Sequence, residues 1–214
     1  MTDLRITEIF HSLQGETRTV GVPTVFVRLT GCPLRCQYCD SEYAFFGGEK
    51  KSLDDIEAQV TGYRCSHVCV TGGEPLAQPN CIPLLERLCD AGLAVSLETS
   101  GAMDISAVDT RVSIVLDLKT PDSGERDKNV LSNIPLLAAK DQIKFVICSR
   151  SDYEWARFML DEQQLVGRVD DIFFSPSYTQ LAPAELAQWI LDDRLPVRFQ
   201  MQLHKQLWGD KAGV

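Results

Sequence analysis

Apolar, β-rich runs recur along the chain at 24–30, 67–71, 94–99, 112–118, 142–148, 171–175 and 197–201. Between most of them lie stretches whose apolar residues return with helical spacing. The segment 52–63 opens on Ser52 followed three residues later by Asp55, a capping-box pattern. In 81–91 the apolar stripe runs through Ile82, Leu85 and Leu88, and Gly92 stands where a helix would stop. The segments 152–164 and 183–192 also read as helices. Short buried strands alternating with helices predict an α/β fold, a parallel sheet of right-handed βαβ units that is open or curled into part of a barrel. The Pro- and Gly-containing stretch 120–129 reads as a loop, and no repeat or low-complexity tract interrupts the alternation.

In such sheets ligands gather at the carboxyl ends of the strands. That rule collects most of the polar oddities of the chain: 28–39 after the first strand, 71–75 after the second, 98–101 after the third, 117–119 after the fourth and 175–178 after the sixth. A chain of 214 residues builds one substantial core and is short for two, so 1–214 is read as a single domain. Apolar residues at 44% and charged residues at 24% exclude a disordered composition. A net charge of −9 and a pI near 4.8 oppose the basic footprint of nucleic-acid binding and favour a small-molecule ligand. The stretch MTDLRITEIF lacks the apolar core of a signal peptide, and no apolar run approaches the ~18 residues of a membrane span. A cytoplasmic protein with no membrane partner is expected.

With no secretory signal, eight unevenly spaced cysteines favour metal binding or buried thiols over disulfides. Three of them, Cys32, Cys36 and Cys39, form a CX3CX2C array in the loop GCPLRCQYCD. Thiolates on a loop with Gly and Pro can wrap one soft metal centre, because the backbone bends around it and its amides donate to the sulfurs. Three ligands leave one iron of a cluster open to chelate a second molecule. A three-cysteine zinc site, with His67 as a conceivable fourth ligand, and plain buried thiols are the alternatives. Cys65 and Cys69 form a second CX3C, but Cys69 sits in an apolar strand, and free cysteine is among the most buried residue types. Cys65, Cys69, Cys81, Cys89 and Cys148 are read as structural.

The CX3CX2C spacing after the first strand resembles the signature of the radical S-adenosylmethionine (SAM) superfamily, in which three cysteines hold a [4Fe–4S] cluster whose open iron binds the amino and carboxylate groups of SAM. The stretch VTGGEP at 70–75 resembles that superfamily's GGEP motif. Its glycines let backbone approach a ligand, and the Glu74 carboxylate could accept from an ammonium. The resemblance implies SAM contacts from Tyr38, Gly73, Glu74, Glu98, Asp117, Leu118, Lys119, Ser175, Pro176, Ser177 and Tyr178, with a cluster loop spanning 31–46 and a partial (β/α) barrel. For Tyr38, packing on the cluster loop is the plainer alternative, and the 175–178 stretch is the less diagnostic part of the match.

The segment FHSLQGET at 10–17 is polar for a plain edge strand. With Arg28 it offers an amide, a carboxylate and a guanidinium to one small polar ligand, the guanidinium fork suiting a carboxylate. A solvated Glu16 and an Arg28 paired with a surface acid are the alternatives. Together with RLTGC, CDS, ETSG, DLK and QLHK further along, these stretches are similar, over nearly the whole chain, to the 7-carboxy-7-deazaguanine synthases of queuosine precursor synthesis. That similarity implies 6-carboxy-5,6,7,8-tetrahydropterin as substrate, 7-carboxy-7-deazaguanine and ammonia as products, and substrate contacts from Leu13, Gln14, Gly15, Glu16, Arg28 and Thr71. It further implies Mg²⁺ on Ser41, a reductant such as flavodoxin, a homodimer, and a possible approach of the Val214 carboxylate to the substrate. A glycyl-radical activating enzyme would share the cysteine loop and glycine turn but lack a carboxylate clamp. A non-catalytic iron–sulfur or zinc module would leave Glu74, Glu98, Gln14 and Arg28 without purpose.

Overall fold

The computed structural model of the chain describes residues 3–178, 180–209, 211 and 213. Nine strands form one sheet: β1 (Asp3–Leu13), β2 (Pro23–Leu29), β3 (Glu49–Ser52), β4 (His67–Gly72), β5 (Ala94–Thr99), β6 (Ser113–Asp117), β7 (Gln142–Ile147), β8 (Asp171–Pro176) and β9 (Arg198–Phe199). They lie in the order β3-β1-β2-β4-β5-β6-β7-β8-β9. From β2 to β9 every neighbouring pair is parallel, as βαβ connections dictate. The sheet stays open between β3 and β9, which is the partial barrel expected of the sequence.

Helices α1 (Leu53–Gly62), α2 (Cys81–Asp90), α3 (Arg150–Glu162) and α4 (Pro183–Asp193) cover the convex face, and a short α5 (Leu203–Trp208) ends the described fold. Ser52 does cap α1, accepting from the Asp55 amide at 3.1 Å and donating to its carboxylate at 2.7 Å. In α2 the buried stripe is Cys81, Leu84, Leu85 and Leu88, with Ile82 only half-buried. Counting Cys81 as apolar gives the i, i+3, i+4, i+7 face that the Ile82 stripe misses. Helix α3 starts two residues before the expected 152 because Ser149 accepts from the Asp152 amide. The β5–β6 connection holds no helix, and the β6–β7 connection holds only 3₁₀ turns.

The main surprise is β1, an eleven-residue strand antiparallel to both β2 and β3 that sequence reading does not supply. It lacks a clean alternation because its register shifts between Ile6 and Glu8: Ile6 faces Leu29, and Glu8 faces Arg28. The extra residue, Thr7, is a β-bulge, and a bulge exchanges the two faces of a strand. Leu4 and Ile6 are buried before it, whereas after it Ile9 packs on the same core and Glu8 and Phe10 turn to the concave side. Among the described residues no helix is long and apolar enough to cross a membrane.

Candidate active site

The carboxyl-end rim of the sheet carries the cysteine loop, which leaves β2 at Leu29. Cys32, Cys36 and Cys39 are free and half-buried; the Leu34 amide donates to the Cys32 sulfur at 3.4 Å, and the Cys39 amide to the Cys36 carbonyl at 3.2 Å. Burial pushes all three thiols up, Cys36 to about 11, so ligation by thiolates must release protons. Among the described residues no three His, Cys, Asp or Glu side chains converge on a single ion. His67 and Cys65 lie at the amino end of β4, away from the loop, with Cys65 donating to the Pro23 carbonyl at 3.1 Å. Cys69 is fully buried in mid-strand.

The glycine turn after β4 is pressed against that loop. A Cβ on Gly72 would stand 2.4 Å from the Leu29 carbonyl oxygen, and one on Gly73 2.2 Å from the Gly31 oxygen. Glu74 does not face the cavity. Its fully buried carboxylate accepts from the Leu76 amide, the Thr99 hydroxyl, and the Ser100 amide and hydroxyl. Its lone pairs are therefore spent on protein donors, which corrects the reading of its side chain as an ammonium acceptor. Leu118 is likewise a core residue, fully buried.

Further round the rim, the Lys119 ammonium donates to Asp117 at 3.0 Å and lies 5.7 Å from the centre of the Tyr38 ring. Burial works against its charge, but Asp117 holds its pKa well above the ordinary lysine value. The second Asp117 oxygen, the Tyr38 hydroxyl and the Ser175 hydroxyl are buried with no hydrogen-bond partner. All three groups line one cavity, and buried polar atoms without partners are costly enough to imply a ligand. Pro176, Ser177 and Tyr178 line the same wall, with the Lys205 ammonium 4.5 Å from the Tyr178 ring centre.

The inner wall is completed from the other end of the sheet. Leu13 pairs with Pro23, the first residue of β2, so the segment 13–16 enters from the amino ends of the parallel strands. It does not share the cluster's rim. It runs across the concave interior, pinned where Arg18 donates its amide to Gln142 at 2.8 Å and its guanidinium to Asp171. Gln14 is buried and donates to Glu98 at 3.4 Å, and Thr71 donates to the other Glu98 oxygen at 3.0 Å. Glu98 thus belongs with the inner-wall residues. Gly15 is packed on His204 of α5, where a Cβ would meet the ring at 2.1 Å.

Glu16 is not solvated: it is buried in an ion pair with Lys144 and accepts from Gln202 at 2.7 Å. Burial raises its pKa, but the Lys144 charge and hydrogen bond outweigh that and hold the carboxyl below the usual range. Gln202 also donates to Asp40 at 3.0 Å, and Asp40 accepts from Ser41 at 2.9 Å, joining the tail, the inner wall and the cluster loop. Arg28 pairs through Nε with Glu8 at 2.7 Å, a half-buried acid and not a surface one. Phe10 and Phe26 stack at 5.0 Å as an apolar panel of the same cavity. Val214 lies outside the described residues.

The cavity has a volume of about 580 Å³, within the range of small-molecule and cofactor sites. The Radical SAM superfamily model matches residues 26–124. The 7-carboxy-7-deazaguanine synthase of Chlorobaculum tepidum is 42% identical over 99% of this chain and 97% of its own length. The chain belongs to the 7-carboxy-7-deazaguanine synthase family. The synthase of Koribacter versatilis is also 42% identical, over 96% of this chain and 97% of its own length. The crystal structure of QueE from Escherichia coli superposes with a TM-score of 0.74 at 26% identity, covering 95% of this chain and 96% of that one. Membership of this radical SAM family implies a [4Fe–4S] cluster and SAM, and the three cysteines and the partnerless polar atoms fit both. It sets aside the activating-enzyme reading and the non-catalytic module.

Two outcomes follow for this synthase site. After anaerobic reconstitution, Cys32→Ala, Cys36→Ala and Cys39→Ala are each expected to lose the cluster by iron and sulfide analysis, while Cys69→Ala keeps it. A folded Cys69→Ala protein without iron would contradict the assignment. Replacing Lys144 with Met strands Glu16, which should cost about 3–5 kcal/mol at pH 7 in urea unfolding of the apo-protein. Because the paired Glu16 titrates below its ordinary value of 4.5, its contribution is complete above that pH and fades as pH falls through the folded value. The gap between wild type and variant should therefore narrow towards pH 4; a constant gap would mean that Glu16 carries no charge in the pair.

Proposed function

We propose that the cavity converts 6-carboxy-5,6,7,8-tetrahydropterin to 7-carboxy-7-deazaguanine with release of ammonia, a carbon–nitrogen lyase reaction. The observation that carries this reading is the pairing of a cluster loop with an inner wall that presents Arg28, Gln14, Glu98 and Thr71 to the same enclosed space. A [4Fe–4S] cluster held by Cys32, Cys36 and Cys39 would, with SAM bound, supply the radical chemistry for hydrogen-atom abstraction. The chain's own residues then position and enclose. Arg28 has two terminal nitrogens with no acceptor among the described residues and takes the substrate carboxylate. Gln14 and Glu98 meet the donor and acceptor edge of the pterin, with Leu13 and Gly15 beside them, and Phe10 and Phe26 supply a flat apolar wall.

Tyr38, Asp117 and Ser175 hold SAM through their partnerless oxygens, and Gly73 offers it backbone at close approach. The Ser41 hydroxyl beside the Asp40 carboxylate is an oxygen-rich spot of the kind a hard cation prefers, and it is the place for Mg²⁺. Lys119, buried, and Lys144, half-buried, balance the charge of cluster, carboxylates and ligands. The electron donor is a flavodoxin-type protein. The enzyme is cytoplasmic and works as a homodimer.

The test is an anaerobic assay with SAM, dithionite and the carboxypterin. Product and ammonia should form together, deuterium from the carboxylate-bearing ring carbon should enter recovered SAM, and chelation of divalent cations should slow turnover until Mg²⁺ is restored. Arg28→Ala should raise the KM for the pterin by the equivalent of ~2–5 kcal/mol with cluster content unchanged. Deoxyadenosine formation without any pterin product would refute the reading.

A further inference from the structure

Glu8 is absent from every motif that the sequence singles out, yet it sits at a junction of three elements. One of its oxygens, Oε1, accepts both from Arg28 Nε at 2.7 Å and from the Tyr43 hydroxyl at 2.8 Å. Tyr43 belongs to the turn that follows the cysteine loop, and the Arg28 guanidinium carbon lies 5.7 Å from the centre of its ring. Glu8 stands directly across from Arg28 only because the bulge at Thr7 shifts the register of β1; without it Thr7 would take that place. Opposed residues of an antiparallel pair share a face, so the bulge brings this carboxylate to the concave side.

We infer that Glu8 is a positioning residue, which presets the Arg28 guanidinium to receive a substrate carboxylate and ties that clamp to the cluster loop through Tyr43. A free arginine side chain samples many rotamers, and a ligand that must select one loses affinity in doing so. Holding Nε, with the Tyr43 ring beside the guanidinium, leaves the terminal nitrogens, in one orientation, to the cavity that Arg28 lines. The same contacts set the distance from the bound carboxylate to the loop that carries the cluster. The inference rests on the reading of Arg28 as the carboxylate clamp.

Two conservative variants separate placement from charge. Glu8→Gln keeps an acceptor at the same reach and removes the charge; Glu8→Asp keeps the charge and withdraws the acceptor by one methylene. Positioning predicts that Glu8→Asp raises the KM for the carboxypterin roughly tenfold or more while kcat changes by less than about threefold, and that Glu8→Gln stays within about threefold of wild type in KM. Iron content and melting temperature, measured alongside, report the fold. Equal KM values in both variants and wild type, or a larger rise in Glu8→Gln than in Glu8→Asp, would overturn the role. Arg28→Ala is the control: if its KM for the pterin is unchanged, the clamp reading itself is wrong. If it rises while Glu8→Asp does not, only the positioning inference falls.

Discussion

A single carboxylate without solvent access organises the rim of the sheet. Glu74 follows the two glycines after β4, and its oxygens gather the Leu76 amide, the Thr99 hydroxyl and both donors of Ser100. A buried charge is tolerable only when its lone pairs are satisfied in this way. The bonds fasten the end of β4 to the end of β5, while the Glu74 amide donates to the Gly31 carbonyl at 2.8 Å. The start of the cysteine loop, the glycine turn and the end of β5 are therefore tied together. Without that fastening, neither the close approach of Gly73 to the loop nor the spacing of the three sulfurs would be defined.

The cavity has a rim at the carboxyl ends of the strands and an inner wall completed by the segment 13–18, which enters from their amino ends, and that division suits radical chemistry. On the proposed reading, the rim carries the cluster and SAM, and the wall faces the substrate. Reactive intermediates demand exclusion of water and a fixed separation more than they demand acid–base groups. The open side between β3 and β9 would defeat enclosure by itself. The segment 14–18 crosses the interior, and α5 seats His204 on Gly15 while Gln202 bridges Glu16 and Asp40. Closure is thus achieved by polar bonds between loops and not by a strand.

Local features were legible in the sequence and distant ones were not. The cysteine spacing, the glycine turn, the Ser52 cap and the parallel strands each depend on residues close in the chain, where spacing carries the geometry. The side chains that complete the wall meet partners far away: Lys144 reaches Glu16 across 128 residues, and Gln202 reaches it across 186. No pattern within one element reports such a pair. Glu74 misled for the opposite reason, since a glutamate after two glycines has the chemistry of a ligand group whether its side chain faces the cavity or the protein. The direction of β1 was hidden because a strand that changes faces at Thr7 shows no steady alternation, and with it went the true position of Gln14 and Glu16.

The bulge at Thr7 makes β1 behave like a reading frame. Each residue downstream inherits its side of the sheet from one local irregularity, so a one-residue insertion or deletion between Thr7 and Ile9 would send Ile9 towards the ligands and Phe10 into the core. A substitution along this stretch alters one side chain, whereas a change of length alters the facing of all that follow. A change of length in the loops outside this strand leaves that frame intact, whereas one inside it rebuilds the wall that the ligand meets.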